Sequence, residues 1–532
     1  MRKHLRGTTE KGRARRSLFV CLATLLILGA VLAPAACITV RADEGKAVDE
    51  SKEPFSYEDL KGKKVGVKTG TVVDQMLPDH IEDVKVVYFD GISDQYSGLK
   101  AGKVDAIAAD EPVLRDMAGT DPEIAYRKNV FEYMEYGLIL NKNKGGQLCE
   151  EINAFIAKHK EDGLIDEMQR EWFDEAKGDR KIPDYESLPA KKGKVRFAID
   201  AQIIPFTYVR DTQYAGYEVE LMARFCEENG YALEISDMKF GALIPAVSSG
   251  KYDVGAACIT ITDERKKSVL FTDSTYIGGA TLAVRQEAAG EKKPFWAKIG
   301  ESFKKTFLRE SRYRLFLKGI GTTLLISALS ALFGTLLGFL VFMTCRRGNI
   351  VANKLTAFYR WFMAGIPMVV LLMILYYIVF GRTGLSGTVI AVIGFTLVFG
   401  AEVCGMLMTA VGAVDPGQME AACALGYTDR KAFFTHILPQ AMPHFMPGYR
   451  GGLVNLIKAT SIVGYVAVED LTKMGDIVRS RTYEAFFPLI AVAVIYFILG
   501  GLLVMAANRL TLKLDPTGRS AEEILKGVEI HD

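Results

Sequence analysis

Two charged residues interrupt long apolar runs in the C-terminal half of this 532-residue chain, Glu402 and Lys458. A charge inside a bilayer-spanning helix costs about 3 kcal/mol on insertion scales, so such groups face a bundle interior. They can line a translocation path and meet a charged solute, or they can pair with each other or across a dimer; both readings stay open. Far upstream, Thr71 and Val72 follow Gly70 at a predicted helix start, where free backbone N–H groups favour an anion. Asp200 can accept a hydrogen bond from a polar or cationic group, or cap the end of a strand. Between two apolar stretches lies a polar loop, residues 417–443, with its own punctuation. Ala421 and Ala422 permit close helix approach, Gly426 can end a first helix, and Pro439 can open a new segment where a backbone donor is dispensable. This is the chemistry of recognition and movement rather than of bond-making. No nucleophile or acid–base constellation emerges, and no metal-ligand cluster, so neither enzymatic activity nor a metal is expected. A G-x-x-x-x-G-K-[ST] run is also missing, so the chain cannot hydrolyse ATP through a P-loop.

The elements that must position these residues segregate along the chain. Hydrophobic residues make up 49% and charged residues 24%, a mixture that resolves into a charge-rich part and an apolar part. The net charge of +2 and the absence of a basic stripe with interleaved aromatics give no reason to expect nucleic acid. Of the eight cysteines, three fall in the charge-rich part without paired spacing, which argues against a disulfide framework. Residues 1–42 read as an export signal or membrane anchor: a basic segment, an apolar run from Leu18 to Ala36, then small residues that allow cleavage after Ala42. Cys37 as a lipid attachment site is the weaker reading, because of Pro34. Each version puts residue 45 onward outside the cytoplasm.

An extracytoplasmic domain is expected over 43–290, an amphipathic juxtamembrane segment over 291–318, a membrane domain over 319–510 and a cytoplasmic tail over 511–532. About 20 apolar residues span a bilayer, which gives five candidate helices: 319–343, 361–380, 386–411, 451–467 and 485–508. With residue 45 onward outside, basic residues gather on the inner side at Arg346-Arg347, Arg430-Lys431 and Arg509. Lys473, Arg479 and Arg481, on the outer side, blunt that bias. The same orientation puts the 417–443 loop in the cytoplasm of a multi-pass cell-membrane protein.

The loop carries Glu420-Ala421-Ala422, then Gly426, then Leu438-Pro439, and resembles the EAA signature of polar amino acid ABC importer permeases, the histidine and glutamine permease-like family. His436 departs from it, standing where the family usually has Ile. The resemblance implies that these six residues dock on a separate cytosolic ATPase, which uses the ATP, and that the membrane domain forms a homodimer in the bilayer. No cofactor is expected in this chain itself.

Residues 192–286, with the run Thr260-Ile261-Thr262-Asp263-Glu264-Arg265, resemble one lobe of a type II periplasmic amino-acid-binding protein. Residues 55–140 resemble its other lobe, and 146–174 its terminal helices, followed by a linker at 174–192. The fold expected is therefore multidomain: a two-lobed α/β binding fold, then an all-α polytopic domain of about five helices. The lobe order is reversed from the common one, as in a circular permutation of one domain; two partial domains are the rival. The resemblance implies that Arg265 clamps the substrate carboxylate, that Asp110 holds its ammonium, and that Thr260 and the Cys258 carbonyl are companion contacts. It also implies that Phe240 stacks on the substrate stem and that Ile203 stands where relatives carry an aromatic. Together with Asp200, this favours a polar or basic amino acid, bound at about micromolar affinity, roughly −8 kcal/mol.

The function expected is the binding and permease component of an ATP-driven amino-acid importer. A ligand-gated channel is the alternative, since the same two-lobed fold gates glutamate-receptor channels. Val463-Gly464-Tyr465 resembles part of a potassium filter, but Val466 replaces the final Gly.

Overall fold

Short apolar runs separated by Gly-containing turns build the first half, and long apolar helices build the second. The computed structural model describes residues 53–174, 181–286, 294–346, 348–381, 383–484 and 486–514. The expected signal or anchor and nearly all of the expected tail lie outside these residues.

The first lobe is a sheet of β1 (Lys64–Lys68), β2 (Lys85–Phe89), β3 (Ala106–Asp110), β4 (Ile124–Tyr126) and β5 (Tyr133–Tyr136). β6 (Ile139–Asn141) already belongs to the second lobe. That lobe also contains β7 (Lys194–Ile199), β11 (Ala232–Asp237), β12 (Val254–Ala256) and β13 (Val269–Phe271). Between them β8 (Gln202–Ile203), β9 (Thr207–Arg210) and β10 (Gln213–Ala215) form a separate antiparallel sheet. β14 (Tyr276–Arg285) then returns to the first lobe and pairs with β3, β4 and β5.

The expected lobe limits are corrected accordingly. The strand at 139–141 leaves the first segment, and the strand at 276–285 leaves the second. Each lobe completes its sheet with a strand from the other stretch of chain, so the two stretches are halves of one domain and not two partial domains. The helices Gly146–Glu161 and Leu164–Gln169 pack on the second lobe, where Trp172 Nε1 donates to Glu220 at 2.7 Å and Phe155 meets Phe225 edge to face. The linker is pinned as well: buried Tyr185 exchanges hydrogen bonds with the Tyr214 backbone.

Among the described residues, the second half has three helices long and apolar enough to cross a membrane, Tyr313–Cys345, Gly387–Gly412 and Phe487–Arg509, or up to five spans if each of two bent pairs counts as one. One bent pair corrects the expected span 361–380. The helix Ile350–Gly365 stops, and Met368–Val379 leaves at 105° to it. Pro367 has no N–H and drives Ile366 into an extended conformation, which breaks the run. In the other pair, Leu438–Ala459 tightens into a 3-10 turn over Thr460–Val466, and Leu471–Thr482 follows after a 58° bend.

Tyr313–Cys345 and Gly387–Gly412 lie in close contact through small residues. A Cβ on Gly338 would sit 2.6 Å from the Gly400 carbonyl oxygen, so only glycine fits there. The juxtamembrane helix Phe295–Phe303 leads through Phe307, whose ring meets that of Phe316, near the start of the long helix, at 4.8 Å in a tilted arrangement.

Candidate substrate cleft and coupling loop

The carboxyl ends of parallel strands are where α/β sheets bind ligands, and the charged residues of both lobes gather there. Lys68 ends β1, Asp110 ends β3, Asp200 follows β7 and Asp237 ends β11. The lobes are tied to each other across this cleft. Lys68 Nζ donates to Asp200 Oδ2 at 2.6 Å, Lys239 pairs with Asp90 at 3.2 Å, and Arg265 Nη2 donates to the Gly70 carbonyl at 2.8 Å.

Arg265 sits in the short helix Asp263–Lys266, whose N-terminus is capped by Thr262. Its other guanidinium nitrogen donates to the Thr260 carbonyl at 2.8 Å, and its plane lies 6.0 Å from the Phe240 ring. Lys68 lies over the same ring at 4.4 Å, so Phe240 holds two cations at its face. Asp110 occupies a helix N-cap position without using its side chain as a cap. Its carboxylate accepts from Tyr136 Oη at 2.6 Å, and burial pushes its pKa above the ordinary carboxylate range. An ammonium group placed there would reverse that shift.

Three expected contacts are arranged differently. The Thr71 hydroxyl and N–H both turn back to the Lys68 carbonyl, at 2.8 and 3.3 Å, and Val72 caps a helix that starts only at Val73. The Gly70 turn, with φ of +85°, is too tight to leave the Thr71 N–H facing outward. The Thr260 hydroxyl faces the Met134 sulfur at 4.0 Å. Asp200 caps no strand: Asp237 accepts the Ala201 N–H at 3.0 Å, while Asp200 carries the cross-lobe ion pair. Ile203 is buried among apolar neighbours in β8. Cys258 takes a left-handed conformation, φ +54°, and donates its N–H to both oxygens of Glu218 at 3.2 and 3.1 Å. Burial pushes Glu218 up to about 8.

The sequence reading missed Lys68, Tyr136, Glu218 and Asp237. Lys68 had a signal, a charge closing the Val65-Gly66-Val67 run two residues before Gly70. The others had none, since their partners lie on distant strands.

The binding domain contacts the helical half at one end. Lys251 Nζ donates to the carbonyls of Thr383 and Leu385 at 3.0 and 2.7 Å, and Tyr252 and Tyr376 share a hydroxyl hydrogen bond of 2.7 Å. Tyr483 donates to Asp116 at 2.7 Å. Gly464-Tyr465 lies in the 3-10 turn, where Tyr465 covers Lys239 and reaches Asp90, a docking contact and not a filter. Lys473 and Arg479 are buried in this same contact. Their positive charge is therefore matched by carboxylates of the binding domain.

The loop 417–443 hangs from the other end. Lys318 pairs with Glu469 on the binding-domain side, while Arg346, 28 residues further along the helix and hence about 40 Å away, grips Asp429 with two hydrogen bonds of 2.8 Å. Arg346 also lies 4.2 Å from the Phe433 ring. The helix Gly417–Ala424 ends where Gly426 adopts φ +88°, as its position in the loop predicts. Ala422 is buried against the rest of the loop, while Glu420 and Ala421 face outward with Leu425, which is 80% exposed. Leu438 and Pro439 open the helix Leu438–Ala459, but the chain is already helical from Asp429, so Pro439 sits near a helix start without a break before it. His436 meets Tyr427 edge to face at 5.0 Å within the loop.

Glu402 and Lys458 do not pair within one chain; both are exposed on its surface, and Glu402 lies beside Gly452.

Known proteins share both halves. Residues 195–423 match the bacterial extracellular solute-binding proteins, family 3. A Rickettsia bellii protein that bears the name of a glutamine transport system permease, GlnP, is 33% identical over 199 residues, 37% of this chain and 91% of that protein. The arginine transport system permease protein ArtQ of Bacillus subtilis is 31% identical over 208 residues, again 37% and 91%. A crystal structure of an amino acid ABC transporter with histidines is 25% identical, covers 41% of this chain and 98% of its own, and superposes with a TM-score of 0.36.

Proposed function

Because this chain belongs to the amino-acid ABC transporter permeases and carries a family 3 solute-binding domain, we propose that it captures a polar or basic amino acid and passes it through its own membrane domain. The observation that carries this reading is the placement of the two sites. A charged two-lobed cleft sits at one end of the Tyr313–Cys345 helix, and the exposed EAA-like loop sits at the other. The amino acid carboxylate meets Arg265, its ammonium meets Asp110, its stem lies on Phe240 and its distal group reaches Asp200. A separate cytosolic ATPase docks on Glu420, Ala421 and Leu425 and supplies the ATP-driven motion. The binding domain faces outside the cell membrane and the loop faces the cytoplasm.

Two further features belong to the same reading. The permuted order of the lobes is supported by the family match, which begins at β7 and runs on past β14, while the domain's other residues, 55–174, lie upstream of it. A homodimer is supported by Glu402 and Lys458. Both are exposed on one protomer, and a second copy around a shared path would remove them from lipid.

The test is a thermal-shift screen of the full chain in detergent against the standard amino acids, followed by uptake into vesicles with the cognate ATPase. One polar or basic amino acid should stabilise the protein and be taken up only with ATP. Stabilisation by none of them, or current through the protein without the ATPase, would sink the reading.

A further inference from the structure

The Leu471–Thr482 helix belongs to the membrane half of the chain, yet Lys473 in its first turn reaches into the binding cleft and is only 2% exposed. Its Nζ lies 2.9 Å from Asp237 Oδ1 and 3.8 Å from Asp200 Oδ1. Asp200 is thus shared between a cation of the first lobe, Lys68, and a cation of the permease. Six residues further on, about 9 Å along the helix, Arg479 fixes the same helix to the first lobe. It pairs with Asp94 at 3.0 Å and donates to the Ser93 carbonyl and the Ser97 hydroxyl at 3.2 and 2.8 Å. One helix therefore holds both lobes at once.

Charge counting gives this arrangement a direction. Without Lys473, the buried carboxylates Asp200 and Asp237 face Lys68 alone, and the cluster carries one net negative charge. Such a cluster attracts a polar or cationic group, because a buried unpaired charge is strongly disfavoured. With Lys473 in place the cluster is neutral, and that attraction is gone. The cluster still has acceptor capacity, since Asp200 Oδ1 and Asp237 Oδ2 are buried without a hydrogen-bond partner.

We propose that Lys473 is a release residue carried by the permease: on docking it enters the Asp200–Asp237 pair and competes with the distal group of the substrate amino acid for Asp200. This rests on the importer reading above. Arg265 and Asp110 still hold the backbone groups of the substrate, but its side chain loses its partner as the binding domain seats on the helices. Release is thereby coupled to docking through one electrostatic exchange. Lys473 acts through Asp200 and is a positioning residue.

The experiment uses the full chain in lipid nanodiscs, with the amino acid identified in the thermal-shift screen as the probe. Lys473→Met should lower Kd and slow release, each by about tenfold, the scale of a close charge competition. Lys473→Arg should behave as the parent. Lys473→Gln removes the charge while keeping a polar group that can donate to Asp237, and should show the same tightening, so a poorly folded Lys473→Met does not decide the matter. In vesicles with the ATPase, kcat and KM for uptake should fall together in Lys473→Gln. Unchanged or weaker binding in Lys473→Gln overturns the proposal. A full chain that binds no amino acid at all sinks the importer reading instead.

Discussion

The cleft and the 417–443 loop answer to opposite physical demands. In the cleft, Lys68, Asp200, Asp237 and Lys473 are all buried and all engaged with one another across two lobes and a membrane-side helix. In the loop, Glu420, Ala421 and Leu425 face outward, and the structural work is left to Ala422, Arg346 and Phe433 behind them. A cleft that selects a small solute gains from buried charge, where each interaction is strong and the wrong solute leaves a group unpaired. A loop that takes up motion from a second protein needs an exposed face on a firm base. The separation of about 40 Å along one helix means that neither site reaches the other except through the helices between them.

The sharpest way to break the comparison is Arg265→Ala. It removes a guanidinium that ties the lobes through Gly70 and Thr260, and it should weaken amino-acid binding by about 100-fold or more in calorimetry on the full chain, with the circular dichroism unchanged. Retained affinity would take Arg265 out of the pocket. Glu420→Lys attacks the other end. Uptake with the ATPase should fall by about tenfold or more through charge reversal at a docking surface, while calorimetric affinity stays as in the parent; normal uptake would remove Glu420 from the docking surface.

Smaller effects sharpen the contrast. Glu218 keeps its proton up to about 8 in the folded domain against an ordinary 4.5. The stability it contributes is therefore complete below about pH 4.5 and is lost as the pH rises toward 8. The melting temperature of the parent should fall more between pH 5 and pH 8 than that of Glu218→Gln, and parallel curves would contradict the burial argument. The smallest effect is expected at the loop surface. Asp429→Asn removes the charge and one of the two side-chain hydrogen bonds from Arg346, and should cost no more than about 1 kcal/mol in thermal melts, because the Asp429 side chain is 70% exposed. A larger loss would mean that the loop's base, and not only its face, depends on that charge.

Much of this was legible in the residues. Long apolar runs announced the helices Tyr313–Cys345, Gly387–Gly412 and Phe487–Arg509, because burial in lipid demands about 20 consecutive apolar residues. Gly426 announced the end of the loop's first helix. The break at Pro367 was written in the sequence too, but a hydropathy run averages over a proline and hides the 105° bend. The placement of β6 and β14 could not be read, since a strand's partner depends on the path of the chain and not on its own composition. The turn at Gly70 misled for a related reason. Its glycine was visible, but the closure onto the Lys68 carbonyl depends on ψ angles that residue types do not dictate.

Lys473 marks the limit most plainly. By sequence it is a basic residue on the outer side of a membrane segment, at odds with the charge bias, and nothing near it suggests a ligand site. Its meaning comes from Asp200 and Asp237, more than 230 residues earlier, and from the docking that buries all three. The sequence by itself determined the two kinds of domain, the punctuation of the 417–443 loop and the cations and carboxylates available for pairing, because local chemistry and periodicity suffice for those. Only the tertiary structure decided which cation meets which carboxylate, because ion pairing acts over a few ångströms and the chain brings those groups together only after both lobes and the helices have packed.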